Sequence, residues 1–189
     1  TYNNTLGSVR TLAHEAGHAF HSYILKSKRP FACRYPMTLA ESASTFGEMI
    51  LTEGILEDPN VSAAQKALAL DMDVGHGASF LMDIPVRFAF EKAFYEQRQD
   101  GELSVSQFKD LMVDTQRQIF GDVLEEGGED PYFWASKLHF YIVGRTFYNY
   151  PYTFGFLLSR GLFAQFKEEG PAFLPRYEDF LRLTGSDTA

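Results

Sequence analysis

Residues 12–21 read Leu-Ala-His-Glu-Ala-Gly-His-Ala-Phe-His, two histidines four apart with a glutamate directly after the first. Val9, Leu12, Ala16, Ala19, Phe20 and Tyr23 recur around them at helical spacing. They predict a helix from Leu6 to about Lys28, stopped by Arg29-Pro30. Residues four apart on a helix share a face, so His14 and His18 can offer both imidazoles to one ion. Glu15 sits about 100° around from His14. Its carboxylate can reach a water beside that ion without ligating it, and can take the proton as the water attacks a carbonyl. The competing reading is accident, two histidines and a glutamate in an apolar helix. Three fixed identities in five positions, inside a helix as the chemistry requires, favour a metal site.

Such a pattern supplies two ligands and a base, and a third ligand must come from elsewhere. The candidates are Glu41, Glu48, His21, Cys33, His76 and His139. His21 lies near the face of His14 and His18, but one straight helix does not easily complete a tetrahedron. Cys33 reads as a small buried or loop residue, and His76, between Gly75 and Gly77, as a turn residue. Glu41 follows His18 by 23 positions, which suits a turn-back onto a neighbouring helix. With Ser44, Thr45 and Glu48 it makes a polar stripe at i, i+3, i+4 and i+7. Such a stripe can provide one ligand carboxylate, and Ser44 and Glu48 as partners that orient the ligands. Thr38-x-x-Glu41 is equally a capping box, in which Glu41 only satisfies a helix start. Spacing leaves both open.

Working outward, the pattern stays helical. Thr38 is the expected N-cap of a helix to about Leu56, with Leu39, Ala43, Phe46, Ile50 and Leu51 on its apolar face. Asp58-Pro59-Asn60 is a turn, and Ser62 with Gln65 caps a third helical region to about Gln99, interrupted near Gly75, Gly77 and Pro85. Ser104 and Gln107 open another helix that Gly121 closes, and residues 122–131 form an acidic loop. An aromatic helical stretch from Tyr132 to about Lys167 and a short helix from Pro171 to Leu183 complete the reading. No segment reads as a strand. The expected fold is all-α, one helical catalytic domain over residues 1–189.

The bulk numbers agree with a chain of 189 residues and 45% hydrophobic content burying one core. A net charge of −8 leaves no electrostatic footprint for nucleic acid. The single cysteine, Cys33, forbids an internal disulfide and fits a reducing, cytoplasmic setting. No apolar run approaches the roughly 20 residues a membrane helix needs, so no membrane partner is expected. The opening Thr1-Tyr2-Asn3-Asn4-Thr5, without Met, is expected to follow a cut or a preceding segment.

His14 to His21, followed by Pro-Met-Thr-Leu-Ala-Glu-Ser-Ala-Ser-Thr-Phe-Gly-Glu (36–48), resembles the oligoendopeptidase F branch of the thimet-oligopeptidase family. His-Phe-Tyr (139–141) and Phe-Tyr-Asn-Tyr-Pro-Tyr-Thr-Phe-Gly (147–155) are similar to that branch too. The resemblance implies an almost wholly helical zinc endopeptidase acting on short peptides, with one Zn2+ held by His14, His18 and Glu41 and Glu15 as general base. It also implies oxyanion donors from the aromatic segment, for which His139, Tyr148 and Tyr152 are the candidates. Their spacing departs from the thimet-type branch. A complete member is far longer and continues past Thr184-Gly185-Ser186-Asp187, so the remainder of the polypeptide is itself an expected partner. Two alternatives stand beside this reading. One is a zinc carboxypeptidase with a similar core, for which Arg145 and Arg160 are the basic residues near the aromatic segment. The other is a zinc- and peptide-binding piece that does not turn over.

Overall fold

Thr5 opens the first helix by accepting the Ser8 backbone N–H at its side-chain oxygen, 3.2 Å away. In the structure, a computed structural model describing residues 2–186, this helix is α1, Leu6–Leu25. Thr1 and Asp187–Ala189, where part of the chain-end reading falls, lie outside the described residues. The helices that follow are α2 (Ser42–Glu57), α3 (Ala63–Ala78), α4 (Ile84–Arg98), α5 (Val105–Phe120), α6 (Tyr150–Glu169) and α7 (Leu174–Leu183). Among the described residues there is no strand, as the pattern predicted. None of the helices is long and apolar enough to cross a membrane.

Local signals act where they were read. Ser62 and Gln65 exchange both bonds of a capping box ahead of α3, and Ser104 with Gln107 does the same for α5. Gly121, at φ 60°, ends α5 in a conformation that costs glycine little. Gly75 and Gly77 do not interrupt. α3 runs through both to Ala78, and the break is a wide π-type turn over Ser79–Asp83, after which Pro85 sits harmlessly in the first turn of α4. The aromatic stretch is not helical from Tyr132. Two short 3₁₀ turns, Phe133–Ser136 and Leu138–Tyr141, precede α6, because proline is tolerated in a first turn and Pro151 is the second residue of that helix.

The chain divides into two compact units. The first holds the described residues through Gly77 and those from Phe154 onward, and the second holds residues 78–153. The first is built on Ile24, Ala43, Phe46, Met49, Phe173, Tyr177 and Leu181, with Phe163, Phe166 and Phe180 packed against them. The second is built on Val86, Phe90 and Met112, surrounded by Phe108, Phe133, Trp134 and Phe140.

The apolar face predicted for α1 is not its buried face. Leu12, Phe20 and Tyr23 are exposed, whereas Arg10, Gly17, His21, Ile24 and Leu25 are buried. His21 shows why the polar members are tolerated. Thr184 gives its hydroxyl proton to Leu181 O, so its oxygen accepts from His21 Nε2 at 2.9 Å, while Tyr35 stacks on the ring at 4.2 Å. Burial, with the nearby His18 charge adding to it against a backbone hydrogen bond at Leu181, lowers the His21 pKa to about 4. The neutral ring therefore stabilises the fold fully above about pH 6.5, and that contribution is lost as pH falls toward 4. Between pH 7 and 4 this group is expected to cost roughly 3 kcal/mol. Urea unfolding of the wild type against His21→Asn across that range measures it, and equal pH slopes in the two proteins would contradict the assignment.

Candidate metal centre

Pro36 enters in extended geometry and leads into a single 3₁₀ turn, Met37–Leu39. Thr38 is spent inside that turn and α2 starts only at Ser42, with Glu41 itself at the N-cap. The capping box predicted from Thr38 and Glu41 is therefore not formed, and the Glu41 side chain makes no capping bond. It is buried, 4% exposed, with its carboxylate available to α1.

Glu41 Oε2 stands 3.3 Å from His14 Nε2 and 3.4 Å from His18 Nε2. Ligand atoms of all three residues lie within 4.8 Å of one another. A tetrahedral ion with bonds of about 2.0–2.1 Å holds its donors about 3.3–3.4 Å apart, so both measured edges have the length zinc requires. Two imidazoles and a carboxylate are also a donor set that leaves one position of a tetrahedron open. The residues fit the ion.

The same contacts set the side-chain electrostatics. Burial pulls the His14 pKa down, but hydrogen bonds to Glu41 and Glu48 outweigh it and raise the pKa to about 9. Burial pushes Glu41 up, and the bonds from His14, His18 and Ser44 reverse this and bring it to about 2. Two ionised, buried carboxylates thus face the imidazole pair. Ser44 Oγ lies 2.9 Å from Glu41 Oε2 and orients that carboxylate, not an imidazole.

Glu48, one stripe further along α2, orients the histidine. Its Oε1 lies 2.7 Å from His14 Nδ1, and a proton held there leaves Nε2 as the nitrogen that would take the metal. Its Oε2 takes the Arg10 Nε–H at 2.6 Å and stands 3.3 Å from His76 Nδ1. Arg10 continues to Asp73 at 3.1 Å, which also receives Arg160. His76 is therefore a member of the last turn of α3, not a turn residue, and it belongs to this network. Arg10 and Asp73 were missed as site residues, and His76 and Arg160 were weighed for other roles. The available signal was Arg10, a cation four positions before His14 on an otherwise apolar helix.

The other candidates are accounted for. His21 is turned to Thr184, and Cys33 Sγ is half-buried at 3.4 Å from Leu25 O. Glu15 is exposed on α1. In the second unit His139, Tyr148 and Tyr152 form one cluster. His139 Nε2 is 3.1 Å from Tyr152 Oη, and the Tyr148 ring lies 6.0 Å from that of His139 and 5.9 Å from that of Tyr152. Phe147, just before Tyr148, has a left-handed backbone (φ 59°), and its N–H donates to the buried Glu91 carboxylate at 2.7 Å. That bond helps hold a conformation costly for a bulky residue. Of the arginines considered for a terminal carboxylate, Arg160 is committed to Asp73 and Arg145 lies over the Tyr148 ring.

Comparison with known proteins gives a consistent result. Residues 2–189 match the sequence model of peptidase family M3. The chain is 29% identical over 188 residues to oligopeptidase PepF of Bacillus subtilis, covering 98% of this chain and 27% of that protein. It is 31% identical over 189 residues to the chromosomal oligoendopeptidase F of Lactococcus lactis subsp. cremoris, covering 98% and 30%. The crystal structure of a candidate peptidase from Chlamydophila abortus superposes with a TM-score of 0.77 at 27% identity, over 99% of this chain and 31% of that one. The chain thus spans less than a third of the length of these relatives.

Proposed function

The chain belongs to peptidase family M3, and from that premise we propose that it carries the zinc centre of an endopeptidase that hydrolyses short oligopeptides. The observation that supports this most directly is the pair of 3.3 and 3.4 Å edges joining Glu41 Oε2 to His14 and His18. When bound, Zn2+ supplies the Lewis acidity that makes water a nucleophile near neutral pH and polarises a carbonyl.

The chain's own residues supply the rest. Glu15 accepts the proton of the attacking water and returns it to the departing amine. Glu48 fixes the tautomer of His14, and Ser44 fixes the rotamer of Glu41. His139, Tyr148 and Tyr152 carry O–H and N–H donors of the kind that stabilise an oxyanion, a charge that develops only in the transition state. The role is proposed for the cluster, without choosing among its members.

An internally quenched peptide tests the reading. Cleavage by the zinc-loaded protein is expected to stop with 1,10-phenanthroline and to return when zinc is restored. A peptide blocked at both ends is expected to be cut as well as a free one, and a requirement for a free carboxyl terminus would favour a carboxypeptidase. Stoichiometric zinc with no cleavage of any peptide, in a protein of the relatives' full length, would leave only a binding module.

A further inference from the structure

Three glycines of the first unit stand where helices meet with no room for a side chain. A Cβ on Gly17, the residue just before His18, would lie 2.3 Å from Ala43 O and 2.6 Å from Ser44 Cα. One on Gly47 would lie 2.7 Å from Ala13 O. These two let α1 and α2 cross backbone to backbone. The third, Gly155 of α6, approaches from another side: its Cβ would lie 2.8 Å from Glu41 Cβ and 3.0 Å from Glu41 C. Each glycine has a contact under 3.0 Å, closer than real Cβ atoms come, and all three meet backbone, which cannot rotate away.

The contacts converge on one segment. Gly17 bears on Ala43 and Ser44, and Gly155 bears on Glu41 itself. One turn further along α6, Ser159 Oγ lies 2.7 Å from Thr45 Oγ1, and that same hydroxyl is 2.6 Å from Glu41 O. Glu41 is thereby held by α1 on one side and α6 on another, with a hydroxyl pair fastening its carbonyl.

We propose that Gly155 and Gly17 are positioning residues for the Glu41 carboxylate, their missing side chains setting the distance at which it meets His14 and His18. This rests on the metal reading above. A displacement of a few tenths of an ångström at Glu41 Cβ moves its carboxylate off edges of 3.3 and 3.4 Å that already match a tetrahedron. The other helical glycines provide the contrast. Gly161, also in α6, and Gly54, in α2, would meet nothing within 4 Å. There, Gly→Ala carries only the helix-propensity gain of up to about 1 kcal/mol.

The test is one substitution at two positions of one helix. Zinc affinity is measured by chelator competition on the metal-depleted protein, together with the visible spectrum of the cobalt(II)-loaded form. Gly155→Ala is expected to weaken zinc by roughly 10- to 100-fold, as loss of a ligand's orienting contact does, and to alter the cobalt spectrum. Gly161→Ala is expected to leave both unchanged, with an equal or higher Tm. Thr45→Val, which removes the hydroxyl that links Glu41 O to Ser159 of α6 without adding volume, is expected to weaken zinc about 5- to 10-fold, so the proposal can be judged even if Gly155→Ala does not fold. A wild type that binds no zinc overturns the metal reading itself. A wild type that binds zinc, beside Gly155→Ala or Thr45→Val proteins with full affinity and the same cobalt spectrum, overturns the positioning role alone.

Discussion

Replacing Glu15 by Gln is expected to lower kcat by roughly 10²- to 10⁴-fold while zinc stays bound. Three glutamates are candidates near the histidine pair. Glu41 and Glu48 are buried, and their donors hold both near a pKa of 2, so neither can exchange a proton near neutrality. Glu15 is exposed, and among the described residues its carboxylate takes no hydrogen bond. Of the three, only its carboxylate is uncommitted to the contacts that hold the ligands. Gln keeps its shape and polarity but cannot accept a proton. Steady-state cleavage of a quenched peptide, with metal analysis on the same sample, separates the outcomes. Unchanged kcat would remove Glu15 from the chemistry, and lost zinc would make it a ligand instead.

Glu41→Ala is expected to cost at least about 10³-fold in zinc affinity, well beyond the 10- to 100-fold typical when only a ligand's partner is removed. Two imidazoles on one helix give an ion two contacts and no third anchor. His14 and His18 would still face each other with ring centroids 4.9 Å apart, but without the buried charge that offsets a dication. Dialysis followed by elemental analysis reads the result directly. Stoichiometric zinc in the variant would show that Glu41 is no ligand.

Much of this was legible in the sequence, for identifiable reasons. His14 and His18 declare themselves because helical periodicity is short-range, and the spacing that forms the helix also aims the side chains. Glu41 was ambiguous, since a carboxylate three after a threonine fits a cap as well as a ligand. The 3₁₀ turn at Met37–Leu39 removes the cap, and nothing local in the sequence encodes it. The buried face of α1 was misread because Arg10 and His21 look like solvent residues until their partners Glu48 and Thr184, 38 and 163 positions away, are known. The division into two compact units likewise follows from contacts, not from composition. The resemblance to known peptidases carried Glu41 further than spacing did. It said nothing of why glycine occupies positions 17 and 155.

The first unit is discontinuous, and this bears on the order in which a ribosome can finish it. α1 and α2 leave the exit tunnel before α6, and Ser159, which contacts the start of α2 through Thr45, is made 114 residues after its partner. The second unit lies wholly within that interval and can fold while the histidine helix still waits. If the metal reading holds, a nascent chain stalled before residue 154 is expected to hold zinc less well than the finished first unit, however well its motif is formed.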